Sequence, residues 1–315
     1  MPLNSVVTTI VNLIEKVEPL TNRNLIEICR TNGVELIGTQ NEAHFIHEIL
    51  ETAVNLKIVN LFNRTSLLEK EIGQQTLASL TELLKNCPTQ SWRGEEQIRL
   101  QQFSTPPTIA FLMAKILNPS PNELILEPSA GTGALASWLR VAGCSVHVNE
   151  LSEPRRMLLE LQDYAPTGCD AELIDELLPD EIKPDGVLMN PPFSSSAGRT
   201  KTNDSNYGFR HVRSALSRLK PGGRLVALLG TESATKTDKA RIFWNEIAEE
   251  FDLRAIIHLP KNAFYKYGTN TATSIFCVGK NEPSEAVKRS EKRSTVLEAG
   301  CRTLEECLKY THVFD

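Results

Sequence analysis

Asn190, two prolines and an aromatic ring, Phe193, close the apolar run Gly186-Val187-Leu188-Met189. Pro191 and Pro192 each lock φ and remove a backbone donor. Asn190 is pushed out of the α region by the proline that follows it. The tetrapeptide is therefore a stiff, extended strand end that offers an amide side chain, a carbonyl and a flat apolar face in sequence. That set suits a planar substrate carrying an exocyclic NH2. The Asn190 side-chain oxygen and the Pro191 carbonyl can accept its two N–H bonds, and Phe193 can stack on the ring. The bland alternative is a strand ending in a rigid turn, and the residues upstream decide against it.

Leu124-Ile125-Leu126 reads as a short buried strand, followed by Glu127-Pro128-Ser129-Ala130-Gly131-Thr132-Gly133 and then a helical stretch, Ala134–Leu139. Strand, glycine-rich loop and helix form the layout in which bare backbone approaches a nucleotide-like ligand. The spacing Gly131-Thr132-Gly133-x-x-Ala136 also matches a dinucleotide fingerprint, so a dehydrogenase competes at this point. Glu127-Pro128 ahead of the loop argues against it. A second strand, Ser145–Val148, ends at Asn149-Glu150. Glu150 stands where the ribose hydroxyls of either kind of cofactor would be held.

Asn190-Pro191-Pro192-Phe193 resembles motif IV of the amino-group methyltransferases, and Glu127–Gly133 resembles motif I of the S-adenosylmethionine (SAM) methyltransferases. Further upstream, Gln102-Phe103-Ser104-Thr105-Pro106-Pro107 opens the apolar helix Ile109–Leu117. There Ser104 or Thr105 can cap, and prolines are tolerated in the first turn. The segment resembles motif X of the N6-adenine methyltransferases. The order X, I, IV resembles the γ class of DNA amino-methyltransferases, which includes the modification subunits of type I restriction systems. Asn262–Thr273, running into the strand Ser274–Val278, is similar to their motif VIII. The resemblance covers roughly residues 100–280.

That resemblance implies SAM as cofactor, held by Thr105, Pro106, Glu127, Pro128, Gly131, Gly133, Glu150 and Asn190. It implies that Asn190, Pro191, Pro192 and Phe193 carry out methyl transfer to adenine N6 in DNA, with the target base flipped or single-stranded. An acid after a third strand would accept from the adenine amino group of SAM, and Asp170 and the nearby Asp175 both stand as candidates. The fold it implies is α/β: a doubly wound, mostly parallel seven-stranded SAM-methyltransferase sheet with an antiparallel hairpin near its end. Asn-Pro-Pro-(Phe/Tyr) also resembles the motif of ribosomal RNA guanine-N2 enzymes and of release-factor glutamine enzymes. A non-catalytic DNA-modification subunit is a further alternative, and the intact tetrapeptide and glycine loop count against it.

The elements around these motifs follow from periodicity. Residues 1–95 read as a small helical domain, with Val6, Ile10, Leu13, Ile14 and Val17 at helical spacing, a second helix after Thr21 ended by Gly33, and helices over Glu42–Val59 and Ser66–Leu84. From Glu123 short apolar strands alternate with helices. The further strands are Gly186–Met189, Arg224–Leu229, Leu253–Leu259 and Ser274–Val278, with helices at about Gly208–Leu219 and Asp238–Phe251. This pattern predicts a mostly parallel sheet with ligands at the carboxyl ends of its strands. The methyltransferase domain spans 96–282, and 283–315 reads as a linker with a short amphipathic tail, Leu304–Tyr310.

The 315 residues carry a net charge of −5, an unusual sign for a protein gripping DNA unaided. Ser194–Asn245 is locally basic, and its Arg199, Lys201, Arg210, Arg213, Arg218, Lys220 and Arg224 offer a phosphate-facing rim or a solvated helix face. Seven cysteines include no Cys-x-x-Cys pair, and His44 and His47 lack a third metal ligand, so no metal is expected. With no signal peptide and no apolar run long enough for a bilayer, the chain is expected in the cytoplasm. The stretch after Val278 is too short for the target-recognition domain many γ-class enzymes carry there. Weak selectivity alone is therefore expected, together with a specificity subunit or other protein partner docked on the apolar faces of the N-terminal helices.

Overall fold

Strand residues alternate between the two faces of a sheet, and a sheet apolar on both faces must be covered on both. The computed structural model describes residues 2–34, 39–90, 104–192, 207–248, 250–267, 271–281 and 295–315. Its strands are β1 (Leu124–Glu127), β2 (Ser145–Val148), β3 (Gly186–Met189), β4 (Arg224–Gly230), β5 (Phe251–His258), β6 (Thr273–Lys280) and β7 (Leu297–Gly300). They form one sheet in the order β2-β1-β3-β4-β6-β5-β7. Every pairing is parallel except those of β6, which runs antiparallel to β4 and β5. The doubly wound, mostly parallel seven-stranded sheet and its antiparallel β5–β6 pair are therefore as expected.

The helices are α1 (Pro2–Glu15), α2 (Asn22–Thr31), α3 (Thr39–Leu61), α4 (Thr65–Leu68), α5 (Lys70–Lys85), α6 (Pro107–Leu117), α7 (Ala134–Ala142), α8 (Glu153–Glu160), α9 (Ile174–Leu177), α10 (Tyr207–Arg218), α11 (Thr231–Thr235), α12 (Asp238–Ile247) and α13 (Leu304–Cys307). Leu126, Val187, Met189, Leu225, Ala227 and Leu229 pack on one face of the sheet against Phe209, Val212 and Leu216 of α10 and Phe243 and Ile247 of α12. Ile125, Leu188, Val226 and Leu228 point the other way, into a second core. That core contains α6, all eleven residues of which are buried. A helix apolar all round needs cover on every side. α6 has the sheet beneath it and α4 and α5 above it, while α3 lies on α7.

The core therefore does not stop where the helical stretch ends near residue 95. Ile46, Ile49, Ala53 and Ile58 of α3 and Leu77 and Leu80 of α5 belong to the same cluster as Ile109, Leu112 and Trp138. The inward faces of α3 and α5 are taken up within the chain, against α6 and α7.

Four element boundaries also differ. The helix expected over Ser66–Leu84 breaks at Glu69, whose backbone is extended. Lys115 of α6 caps that break, its buried Nζ donating to the Leu67 and Glu69 carbonyls. The helix expected to reach Phe251 stops at Ile247, because Phe251 opens β5. A third strand before Asp170 is reduced to one parallel bridge, Asn149 to Thr167. Pro166 and Gly168 flank Thr167, and both weaken a ladder. In the segment expected as linker and tail, β7 pairs in parallel with β5. Its residues are largely exposed, so no alternating apolar pattern marks it. The tail beyond it packs on α5 and α6, burying Cys307 and Leu308. Among the described residues no helix is long and apolar enough to cross a membrane.

Candidate cofactor and target site

The order β2-β1-β3 sets three motif-bearing strand ends side by side. Glu127 is the last residue of β1, Asn149-Glu150 follows β2, and Asn190 follows β3. The parallel ladder makes their carboxyl ends one edge, where ligands bind in open α/β sheets.

The loop from Glu127 turns back over this edge through two left-handed glycines, Gly131 at φ +56° and Gly133 at φ +91°. A side chain at Gly133 would press on Leu159 at 3.0 Å, whereas a Cβ at Gly131 would meet nothing within 4 Å. Gly131 thus presents bare backbone to open space, and its N–H donates to the Glu150 carboxylate at 2.7 Å. The other Glu150 oxygen accepts from Ser152 N–H at 2.8 Å, which fixes the carboxylate beside the loop. Asn149 Nδ2 donates to the Pro128 carbonyl at 2.9 Å and ties the loop to the end of β2. Glu127 is fully buried behind the loop, and its Oε2 has no hydrogen-bond partner. Burial pushes its carboxyl well above the ordinary range, against a bond from the Ala136 backbone.

Asn190 lies on the other side of this edge. Its Nδ2 donates to Thr105 Oγ1 at 2.9 Å, joining two segments 85 residues apart. Thr105 does not cap α6, as a Ser/Thr ahead of a helix suggests. The capping position is Pro106, without a side-chain bond, and Pro107 opens the helix. Pro191 is buried and Pro192 half-buried. Phe193, like Arg199, Lys201 and the Gly268–Asn270 stretch of the motif VIII resemblance, lies outside the described residues.

Of the two candidate acids, Asp170 follows directly on Cys169, whose N–H donates to Asn149 Oδ1 at 2.8 Å at the tip of β2. Asp170 also caps the 3-10 turn Ala171–Leu173. Asp175 is tied away from this edge, accepting from Ser214 of α10 at 2.5 Å.

Several basic groups between α10 and α12 have acidic partners at the surface of the fold. Arg210 pairs with Glu172, Arg213 with Glu246, Lys220 with Asp185 and Arg241 with Asp238. Arg218 is buried and donates to the carbonyls of Asp175 and Ile182, and Arg224 grips Glu123 with two nitrogens at 2.8 Å. Arg218 and Arg224 thus tie loops to α10 and β4. His44 lies 3.2 Å from Glu48, and among the described residues no group of His, Cys, Asp and Glu could hold a metal ion.

The sequence reading missed one set of residues. Glu51 and Asn55 of α3 reach into the glycine loop and bond Thr132. Polar residues interrupting the apolar face of α3 were the available signal.

This is the fold of the class I SAM-dependent methyltransferases. The chain is similar over its whole length to a Listeria monocytogenes protein assigned to that class, with a TM-score of 0.55, 18% identity and 98% of that structure covered. Its relatives by sequence come from restriction systems. It is 26% identical, over 57% of its length, to the type II restriction enzyme and methyltransferase RM.BcgI of Heyndrickxia coagulans. It is 24% identical, over 56% of its length, to the type I restriction enzyme StySPI methylase subunit of Salmonella potsdam. The chain spans 31% and 40% of the length of these two relatives. No protein-family model matches it.

Proposed function

We propose that the chain is a SAM-dependent methyltransferase acting on the N6 amino group of adenine in DNA. The observation that carries this reading is the Asn190–Thr105 bond at the sheet edge that also carries Gly131 and Glu150. It brings the proposed acceptor of the target amine beside the proposed cofactor loop.

The residues fit SAM. Glu150 can accept from the ribose hydroxyls, Gly131 leaves room for the cofactor, Thr105 and Pro106 stand beside Asn190, and Asp170 is the acid nearer the strand tips. Glu127, Pro128 and Gly133 shape the loop. When bound, SAM supplies a methyl group on a sulfonium.

With Nδ2 of Asn190 committed to Thr105, its carbonyl oxygen lies on the opposite side of the amide. That oxygen and the Pro191 carbonyl accept the two N–H groups of the target amine, leaving the nitrogen lone pair directed at the methyl carbon. As the N–C bond forms and the C–S bond breaks, these acceptors stabilise the positive charge on nitrogen. The methylated ammonium then sheds a proton to water, so no strong base is required. Phe193, next in sequence after Pro192, stacks on the flipped ring at about 1–3 kcal/mol per base.

By likeness to a methylase subunit of a restriction enzyme, the proposal includes DNA and a protein partner that supplies selectivity. Tritium transfer from labelled SAM, offered DNA, ribosomal RNA and release factor in parallel, tests the target class. Label in DNA is expected. Label confined to RNA or protein would move the chain to those methyltransferases.

A further inference from the structure

Helix α3 crosses behind the cofactor loop with a polar stripe, Glu48, Glu51, Thr52 and Asn55, buried among apolar side chains. Positions three and four apart on a helix lie on one face, and this face is aimed at the loop. Asn55 Nδ2 donates to the Thr132 carbonyl at 2.7 Å, and the Thr132 hydroxyl donates to Glu51 Oε2 at 2.8 Å. Gln162 Nε2 adds a second bond to the same carbonyl at 2.9 Å. The other Glu51 oxygen accepts from Gln90 Nε2 at 2.5 Å, and the carboxylate is also bonded by Ser104, the neighbour of Thr105. One turn earlier, Glu48 pairs with Arg155 of α8, the helix that follows Glu150, at 2.5 Å.

Thr132 sits between two glycines that have little conformational preference of their own. Its side chain and carbonyl are therefore what fix the loop, and both are bonded by α3. The arrangement is an expensive way to build a core. Burial and the neighbouring Glu48 both push the Glu51 carboxyl up, against its bonds from Ser104, Thr132 and Gln90. Buried charged groups are often replaceable by apolar ones at no loss of stability. A carboxylate kept here, bonded to the cofactor loop and to the segment leading into α6, serves the geometry of the loop.

We infer that Glu51 and Asn55 are positioning residues of the cofactor site, holding Thr132 so that Gly131 and Glu150 present the SAM-binding surface. SAM affinity then depends on how α3 is seated. The inference rests on the SAM reading above.

The test is SAM titration by calorimetry on the full chain, with steady-state kinetics alongside. Glu51→Leu, which removes both acceptor oxygens, and Asn55→Ala are each expected to weaken SAM binding by about tenfold or more through loss of a buried bond to Thr132. KM for SAM should rise while kcat at saturating SAM holds. Lys57→Ala, on the same helix but paired with Glu15, should bind SAM like the wild type. Combining Glu51→Leu with Thr132→Val should cost less than the sum of the two, because both remove the Thr132 hydroxyl bond. If Glu51→Leu loses its cooperative melting transition, Asn55→Ala, which leaves the Glu51 side chain in place, decides. Wild-type SAM affinity in Glu51→Leu and Asn55→Ala, or additive effects with Thr132→Val, would overturn the inference alone. A wild-type chain that fails to bind SAM would overturn the cofactor reading as well.

Discussion

Asn190 Nδ2 donates to Thr105 Oγ1 at 2.9 Å, and this bond sets which way the Asn190 amide is turned. Without the hydroxyl, the amide can rotate and present N–H groups to an amine that needs acceptors. Thr105→Val, nearly the same in volume, is therefore expected to lower kcat by more than it weakens SAM binding. A buried donor left unmade costs about 1–3 kcal/mol, which corresponds to roughly tenfold or more in rate. Thr105→Ser should recover most of it. Single-turnover transfer on DNA measures this. Equal rates for the valine and serine variants would show that the hydroxyl does not orient Asn190.

Gly131 and Gly133 are both left-handed, yet their replacements should fail differently. Gly133→Ala meets Leu159 at 3.0 Å and Gln162 at 3.4 Å, so it should lower the melting temperature. Gly131→Ala meets nothing in the protein. Its cost to folding is the left-handed backbone alone, about 1–2 kcal/mol, but the new methyl occupies the space proposed for SAM. Thermal melts with and without saturating SAM separate the two. Gly131→Ala should lose most of the SAM-dependent rise in melting temperature, and retention of the full rise would place the cofactor elsewhere.

Much of this arrangement was legible in the sequence. Glu127, Glu150 and Asn190 fall at strand ends because short apolar runs stop at them, and the parallel order then places them along one edge. Whether Ser104 or Thr105 caps α6 was open in the sequence, since a Ser/Thr-Pro pair ahead of a helix looks the same whether its hydroxyl turns inward or toward a distant strand. The clamp of Glu51 and Asn55 on Thr132 spans 81 and 77 residues, so the polar positions on the apolar face of α3 could mark it without naming its partner. β7 was missed because an exposed edge strand has no buried face to impose alternation. Arg218 and Arg224 looked like a basic surface until their carbonyl and carboxylate partners were in place.

Two buried histidines predict an acid-sensitive fold. Burial lowers His47 from 6.5 to about 4, with the nearby His44 adding to it. Burial likewise lowers His211 to about 4, with Asp170 opposing and Arg210 assisting. Between pH 6.5 and about 4 the unfolded chain takes up protons that the folded chain refuses, so stability falls as pH falls. Burial works to raise the Glu48 carboxyl, but Arg155 and His44 outweigh it and bring it from 4.5 down to about 2. Its contribution is therefore lost only in more acid solution. The raised carboxyls of Glu127 and Glu51 act in the opposite direction, so the test is a comparison: between pH 7 and pH 5 the denaturant unfolding midpoint of the wild type should shift downward relative to that of His47→Gln. A shift of the same size in that variant would assign the acid sensitivity to other groups.

The central claim is methyl transfer to adenine N6 with Asn190 as the amine acceptor. It is tested most directly by mass spectrometry of nucleosides from the DNA of a methylation-free host expressing the wild type or Asn190→Ala. The account predicts N6-methyldeoxyadenosine with the wild type. It predicts none with Asn190→Ala, although that variant still binds SAM. N4-methylcytosine in its place, or equal N6-methyldeoxyadenosine from both proteins, would contradict it.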